Sequence, residues 1–393
     1  MTDKDFSDIT QFIRRHYNAA DGETVALHAP TFRGNEKKYL EECIDTTYVS
    51  SVGAFVDRFE AEMASFTGAA GAVVTVNGTA ALHMALMLSG VRQGDEVLTQ
   101  PLTFIATCNA IAYTGATPVF IDIDRSTLGL SPDAMQAWLQ DNADIDDKGC
   151  CRDKLTGARI SAAVVMNTFG HPARLAELKA VCDRWHINLV EDAAESVGSL
   201  YHGQHTGTIA PIGALSFNGN KTITTGGGGM LLFNDEAMAK KAKHLTTQAK
   251  VPHRWEFIHD AVGYNYRMPN INAALGCAQL EQLPQFIADK RLTADAYKHY
   301  FSDKWTNEVE FIAEPEGTRS NYWLNAILMP DRSARDAFLE YTNDHGVQTR
   351  PAWELMPRLE MWSGAVTDGI PVSLEIADRL VNIPSGVVNA TAH

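Results

Sequence analysis

Ala214-Leu-Ser-Phe-Asn-Gly-Asn-Lys-Thr-Ile-Thr-Thr-Gly-Gly-Gly-Gly-Met-Leu-Leu-Phe233 joins two apolar runs through a loop that carries one lysine and four consecutive glycines. The flanking runs read as strands, and the glycines make the loop between them conformationally permissive. Lys221 is thereby set on a tight connection between two strand ends. A lysine that forms a Schiff base with an aldehyde needs such a fixed, partly desolvated amine. Ser216, in the run before it, supplies a hydroxyl able to reach an anion at the same place. Taken alone, the stretch is equally compatible with an ordinary surface lysine in a glycine-rich turn.

Outward from this loop, short apolar runs alternate with helical periodicity. Strands are predicted at Ala72 to Val76, Glu96 to Thr99, Thr117 to Asp122, Ala162 to Asn167, Ile187 to Glu191, Ala214 to Phe217 and Gly229 to Phe233. Strands alternating with helices imply an α/β fold with a mainly parallel sheet covered on both faces. Right-handed crossovers then collect the functional loops at the carboxyl ends of the strands. Asp141 to Arg159, rich in Asp, Lys and Gly, reads as a solvated excursion.

Before the sheet, the apolar spacing of Phe6 to Ala20 predicts an amphipathic helix, followed by helices from Glu36 to Thr46 and up to Phe66. This region reads as an approach segment rather than a core. After the sheet, two helices are predicted, Ile271 to Leu283 and Pro284 to Phe301, then strand-like stretches Trp323 to Met329 and Val347 to Arg350. The expected organisation is an N-terminal helical segment (1–26), a large domain (27–270) and a smaller C-terminal α+β domain (271–393), divided near the Pro269/Asn270 turn.

A chain of 393 residues is long enough for two domains with separate cores. Its net charge of -15 argues against a nucleic-acid or anionic-membrane surface, since both need a basic field. The six cysteines lack metal-ligand spacing, so no metal site is expected and reduced thiols are. The N-terminus has no apolar leader and no apolar run is long enough to span a bilayer, which points to a soluble, cytoplasmic protein.

Asn77-Gly-Thr-Ala follows a predicted strand and opens a helix, so Gly78 and Thr79 offer free N–H groups, a hydroxyl and the positive end of a helix dipole to a phosphate. The same residues also make an ordinary N-cap. The glycine run lacks a P-loop ending, and no Gly-x-Gly-x-x-Gly follows the first strand, which argues against a nucleotide-dependent dehydrogenase. In Leu189-Val-Glu-Asp-Ala-Ala-Glu-Ser196, Asp192 falls at the end of an apolar strand, where it either pairs with a buried cation such as a pyridinium or caps the next helix. Phe104, in Pro101-Leu-Thr-Phe-Ile-Ala-Thr-Cys-Asn-Ala, falls just past another strand end, as a ring stacker or as core.

These motifs, with Ser-Phe-x-x-x-Lys at 216–221, the glycine run and Gly263-Tyr-Asn-Tyr-Arg-Met268, resemble the DegT/DnrJ-type sugar aminotransferases over nearly the whole chain. The resemblance implies an aspartate-aminotransferase-like fold, fold type I, that binds pyridoxal 5'-phosphate. It implies that Lys221 is the Schiff-base lysine and proton shuttle, Asp192 the partner of the pyridine nitrogen and Phe104 the ring stacker. Gly78, Thr79 and Ser216 then hold the phosphate, and Asn265 reaches the phosphate of a neighbouring subunit, so the site is completed in a homodimer. Glu195 stands where relatives often carry Gln or His against the ring hydroxyl; a carboxylate there has to be protonated or turned away. Related dehydratases replace the lysine with histidine, so a lysine here favours transamination.

Leu27-His-Ala-Pro-Thr-Phe-Arg-Gly-Asn-Glu36 and Tyr48-Val-Ser-Ser-Val-Gly53 narrow the resemblance to the branch that aminates the 4-keto group of UDP-linked 2-acetamido-6-deoxy sugars, on routes to bacillosamine or legionaminic acid. L-glutamate is the implied donor. Arg33, Lys250, His253, Arg254 and Arg319 are candidates to meet the diphosphate, or are solvated surface charges. A different keto sugar, 3-keto or dTDP-linked, and a cofactor-binding relative without turnover are the competing readings.

Overall fold

The computed structural model of the chain describes residues 6–388. Seven strands form its main sheet: β1 (Gly71–Thr75), β2 (Glu96–Thr99), β3 (Thr117–Phe120), β4 (Ile160–Met166), β5 (Asn188–Asp192), β6 (Ile212–Ser216) and β7 (Gly229–Phe233). Their order across the sheet is β1-β7-β6-β5-β4-β2-β3. All neighbours are parallel except β7, which runs antiparallel to both β1 and β6. The exception has a local cause. β6 and β7 are joined by the lysine loop alone, and without a crossover helix the chain can only return antiparallel.

Both faces of the sheet are covered, so its strands are apolar throughout rather than alternating. In β4 every residue is buried, and the period of two sends Ala162 and Val164 to one face, Ala163 and Val165 to the other. The first face packs on α4 (Gly78–Leu88), α5 (Ile105–Tyr113) and α8 (Glu236–Thr246); the second packs on α6 (Pro132–Asn142) and α7 (Leu175–Trp185). At the β1–β7–β6 end, α3 (Ala54–Thr67) and the first half of α9 (Asn270–Lys304) cover Val74, Leu215, Met230 and Leu232. A second, antiparallel sheet, Glu310–Phe311, Asn325–Leu328, Leu380–Ile383 and Arg350–Pro351 in spatial order, lies towards the C-terminus.

Two sequence expectations are corrected, and a third gains detail. The predicted break at Pro284 is absent, and α9 runs through it as one helix. An interior proline loses one hydrogen bond and crowds the preceding turn, but Leu280, Leu283, Phe286 and Ile287 bury one continuous stripe across it, and that packing outweighs the loss. The N-terminal helix, α1 (Ser7–His16), is core and not an approach segment: Phe6, Ile9 and Ile13 are buried with Tyr297, Phe301, Ile327 and Val381. The excursion after α6 carries a short hairpin, Ala143–Ile145 with Cys151–Asp153, anchored by the buried Cys151.

Candidate active site

The lysine loop leaves β6 at Ser216 and rejoins the sheet at Gly229, directly across the ladder from Ser216. Gly229 is also opposite Thr75 at the end of β1. These pairings bring the lysine loop against the turn that opens α4. There Asn77 caps the helix, its side chain accepting from Ala80 N at 2.8 Å, which leaves the N–H groups of Gly78 and Thr79 free at the dipole's positive end. The fit is tight enough to exclude side chains. A Cβ on Gly229 would meet Asn77 C at 2.5 Å, and one on Gly78 would meet the Ser216 Cβ at 2.9 Å and its Oγ at 3.2 Å. Gly78 is thus packed directly on Ser216, and the N–H groups that open α4 form a cradle beside the Ser216 hydroxyl.

Next to it stand two buried carboxylates. Alternation along β5 points Glu191 and Asp192 to opposite faces. Glu191 accepts from the backbone N–H groups of Gly207, Ile209 and Ala210 at 2.7–2.8 Å and so braces a loop. Asp192, 3% exposed, accepts from Thr107 Oγ1 at 2.7 Å and Ala194 N at 3.2 Å. Burial pushes its carboxyl above the usual carboxylate range, opposed by the Thr107 and Ala194 hydrogen bonds and by the charge of Lys221. Among the described residues no cation forms an ion pair with it. Thr107 lies in a motif visible in the sequence, but its role as the partner of Asp192 emerges only in the structure.

Lys221, with its side chain 12% exposed, places Nζ 3.2 Å from Glu195 Oε1 and 3.8 Å from the centroid of the Trp323 indole ring. The other oxygen of Glu195 accepts from Phe169 N at 2.9 Å. Phe169 adopts φ +57°, a backbone conformation that a side-chain-bearing residue takes at a cost and that turns its N–H onto the carboxylate. Burial pushes the Glu195 carboxyl up to about 7, even with Lys221 beside it. The carboxylate is neither turned away nor idle. It lies within hydrogen-bond distance of the lysine ammonium.

That shift gives a pH dependence. The folded chain holds a proton on Glu195 that the unfolded chain releases in the ordinary carboxylate range, so the contribution to stability is complete below that range and lost as pH rises through about 7. Glu195→Gln abolishes the dependence. In cofactor-free protein, the Tm of the wild type relative to the variant is expected to fall by on the order of a few degrees between about pH 5 and about pH 8. A pH-independent difference contradicts the assignment.

Pyridoxal phosphate fits this arrangement. The cradle suits its phosphate, the uncompensated Asp192 suits a protonated ring nitrogen, and the Lys221 amine suits its aldehyde. Phe104, at the start of α5 and 48% exposed, offers a free ring face, held edge-on by Trp353 with centroids 6.1 Å apart. Gly78→Ala is expected to weaken cofactor affinity by about tenfold, because the added methyl must displace Ser216. Titration of the visible cofactor band measures it, and a change below about twofold contradicts the cradle.

The remaining candidates lie apart from the lysine. Asn265 is exposed and accepts from Arg267 Nε at 3.0 Å; its neighbour Tyr266 accepts at its carbonyl from Val76 N, just ahead of the cradle. Lys250, His253 and Arg254 share one exposed loop, engaged with Phe257, Glu256 and Trp255 respectively. Arg33 donates to Val388 O, and Arg319 pairs with Leu200 in a separate small sheet. No hydrogen bond, ion pair or ring contact joins any of them to Lys221 among the described residues. Trp323, Asn321 and Trp353, all beside the site, escape sequence reasoning.

Residues 30–392 match the model of the DegT/DnrJ/EryC1/StrS aminotransferase family. The chain is 36% identical to the GDP-perosamine synthase of Escherichia coli O157:H7 (92% of this chain, 93% of that one). It is 34% identical to the GDP-perosamine synthase of Vibrio cholerae (92% and 94%). Its fold superposes on the aminotransferase TlmJ from Streptoalloteichus hindustanus with a TM-score of 0.82 and 28% identity, over 92% of this chain and 93% of that one.

Proposed function

The chain belongs to the DegT/DnrJ/EryC1/StrS aminotransferase family, and from that premise we propose that it moves an amino group from L-glutamate to the C4 keto group of a UDP-linked 2-acetamido-2,6-dideoxy-4-keto-hexose. The product is the UDP-linked 2-acetamido-4-amino-2,4,6-trideoxyhexose, a precursor for bacterial surface glycans. The chain is a pyridoxal-phosphate-dependent nucleotide-sugar aminotransferase of fold type I. When bound, the cofactor supplies the aldehyde and an electron sink.

The observation that carries this reading is the Lys221 amine held against Glu195, within electrostatic reach of the buried Asp192. With the cofactor bound, the Lys221 amine would hold its aldehyde and, once released, would carry the proton at Nζ. Asp192 would meet the ring nitrogen, Phe104 one ring face, and Gly78, Thr79 and Ser216 the phosphate. Glu195 accepts from the Lys221 Nζ and holds the amine in place.

What supports the sugar branch is its two sequence markers, Leu27–Glu36 and Tyr48–Gly53, the first of which borders the lysine loop. Gln279 donates to Thr31 O and Glu36 Oε1 and accepts from Thr224 N in the lysine loop, so the Leu27–Glu36 stretch borders that loop. The names of the Escherichia coli and Vibrio cholerae relatives favour a second reading, a GDP-linked sugar. Protein loaded with the amino form of the cofactor, offered UDP-linked 4-keto, GDP-linked 4-keto and dTDP-linked 3-keto sugars separately, distinguishes them by the amino sugar formed. Amination of the UDP-linked sugar alone is expected. Amination of the GDP-linked sugar alone replaces the first reading with the second.

We further propose that the enzyme acts in the cytoplasm as a homodimer, with Asn265 completing the partner's site. Trp255, Phe257 and Val262 are 69–83% exposed on the segment leading to Asn265, an apolar surface that suits a second copy. Mixing Asn265→Ala with Lys221→Ala protein is expected to restore part of the activity. Verified mixed dimers without activity contradict a shared site.

A further inference from the structure

Three consecutive residues of the lysine loop are touched by one short segment from a distant part of the chain. The carbonyl of Asn220 accepts from Trp323 Nε1 at 2.6 Å. The ammonium of Lys221 lies over the same indole at 3.8 Å. The hydroxyl of Thr222 accepts from Asn321 Nδ2 at 3.1 Å. Asn321 also donates to the carbonyls of Glu195 and Val197, each at 2.9 Å, and so reaches the backbone of the lysine's carboxylate partner.

The segment is itself rigid. Asn321 N donates to Ser199 Oγ, Tyr322 N to Ser320 Oγ, and Trp323 N to Asn321 Oδ1, all at 2.8–3.0 Å. Ser320 Oγ donates in turn to Gly170 O. Tyr322 sits between Asn321 and Trp323 at φ +47°, an unfavourable conformation for a side-chain-bearing residue that persists only where its surroundings impose it. The strain aims Asn321 and Trp323 at the two sides of Lys221.

We propose that Trp323 is a positioning residue for Lys221, its indole face serving as the seat of the released ammonium and its N–H fixing the loop, with Asn321 holding the opposite side. This rests on the reading of Lys221 as the cofactor-binding lysine. A lysine that must repeatedly leave and regain the cofactor carbon needs a resting place within reach. Beside the Glu195 carboxyl, which already pairs with the amine, the indole face adds a second, directional hold at a fixed distance and so sets where the released ammonium rests.

The test uses full-length protein and compares Trp323→Leu, Trp323→Phe, Asn321→Ala and Lys221→Ala with the wild type. Trp323→Leu is expected to lower kcat about tenfold with the KM for L-glutamate changed less than about twofold, the signature of a group that sets the reacting lysine rather than binding substrate. Trp323→Phe, which keeps a ring face but not the N–H, is expected to recover more than half of that loss. Asn321→Ala is expected to raise the cofactor dissociation constant about tenfold, read by equilibrium titration without turnover. A lowered Tm with kcat and cofactor affinity within about twofold of wild type in all three variants reduces Trp323 to a core residue and overturns the proposal. If Trp323→Leu does not fold, Trp323→Met, which fills the space without a ring face, takes its place: wild-type kcat there together with wild-type cofactor affinity in Asn321→Ala overturns the proposal. Turnover that survives Lys221→Ala overturns the underlying reading and this proposal with it; normal Trp323 and Asn321 variants overturn this proposal alone.

Discussion

Lys221→Ala is expected to remain folded and to lose more than about 10^4-fold in turnover. The fold survives because the lysine's one ionic partner among the described residues can discharge itself. Glu195 is already pushed up to about 7 by burial, and without the cation beside it the carboxyl rises further and is neutral at physiological pH. The variant therefore buries an acid rather than a bare charge, and its cofactor-free Tm is expected within a few degrees of the wild type. Chemistry has no such escape. Among the described residues no second lysine contacts Glu195, so neither the covalent hold on the cofactor nor the proton transfer has a substitute. Borohydride is expected to fix cofactor to the wild type and not to the variant. Normal turnover in Lys221→Ala would sink the assignment of the site.

Asp192→Asn is the second large effect, and its two halves have opposite character. Turnover is expected to fall by about 10^2–10^3-fold, because an amide cannot hold the ring nitrogen protonated and the electron sink is lost. Stability without cofactor is expected to change by no more than about 1 kcal/mol. The asparagine oxygen still accepts from Thr107 Oγ1, and a buried carboxylate that burial already disfavours is gone. Separating the halves matters, because a variant that merely unfolds also stops turning over. Turnover within tenfold of wild type, in folded and cofactor-loaded protein, would contradict the role.

The sheet was legible because its strands are apolar on both faces and punctuated by Gly, Pro and Asn, so each run of four or five residues stands out without its partners. The residues carried by strand ends followed. Lys221, Asp192, Gly78, Thr79 and Ser216 each sit within a few positions of an apolar run, and the parallel topology brings those ends together. Helix α9 was misread at Pro284 because a local rule competes there with a buried stripe whose partners, Phe59 on α3 among them, lie more than two hundred residues away. The same distance hides Asn321 and Trp323. Each reaches its loop across about a hundred residues of sequence, with no spacing to announce it. Phe169 is hidden for another reason: its contribution is a backbone N–H turned by a positive φ, which no side-chain pattern encodes. Glu195 was visible as an odd carboxylate in the motif, but only the pocket shows that burial lets it carry the proton.

The most direct test of the central claim is one half-turnover with isotopically labelled nitrogen. Cofactor-loaded protein is given L-glutamate labelled at its amine, freed of excess donor, and then given the UDP-linked 4-keto sugar. One 2-oxoglutarate per bound cofactor before the sugar is added, followed by the labelled nitrogen on the sugar, is the expected result. Absence of 2-oxoglutarate, or a sugar that stays unlabelled with every nucleotide-linked keto sugar offered, would contradict it.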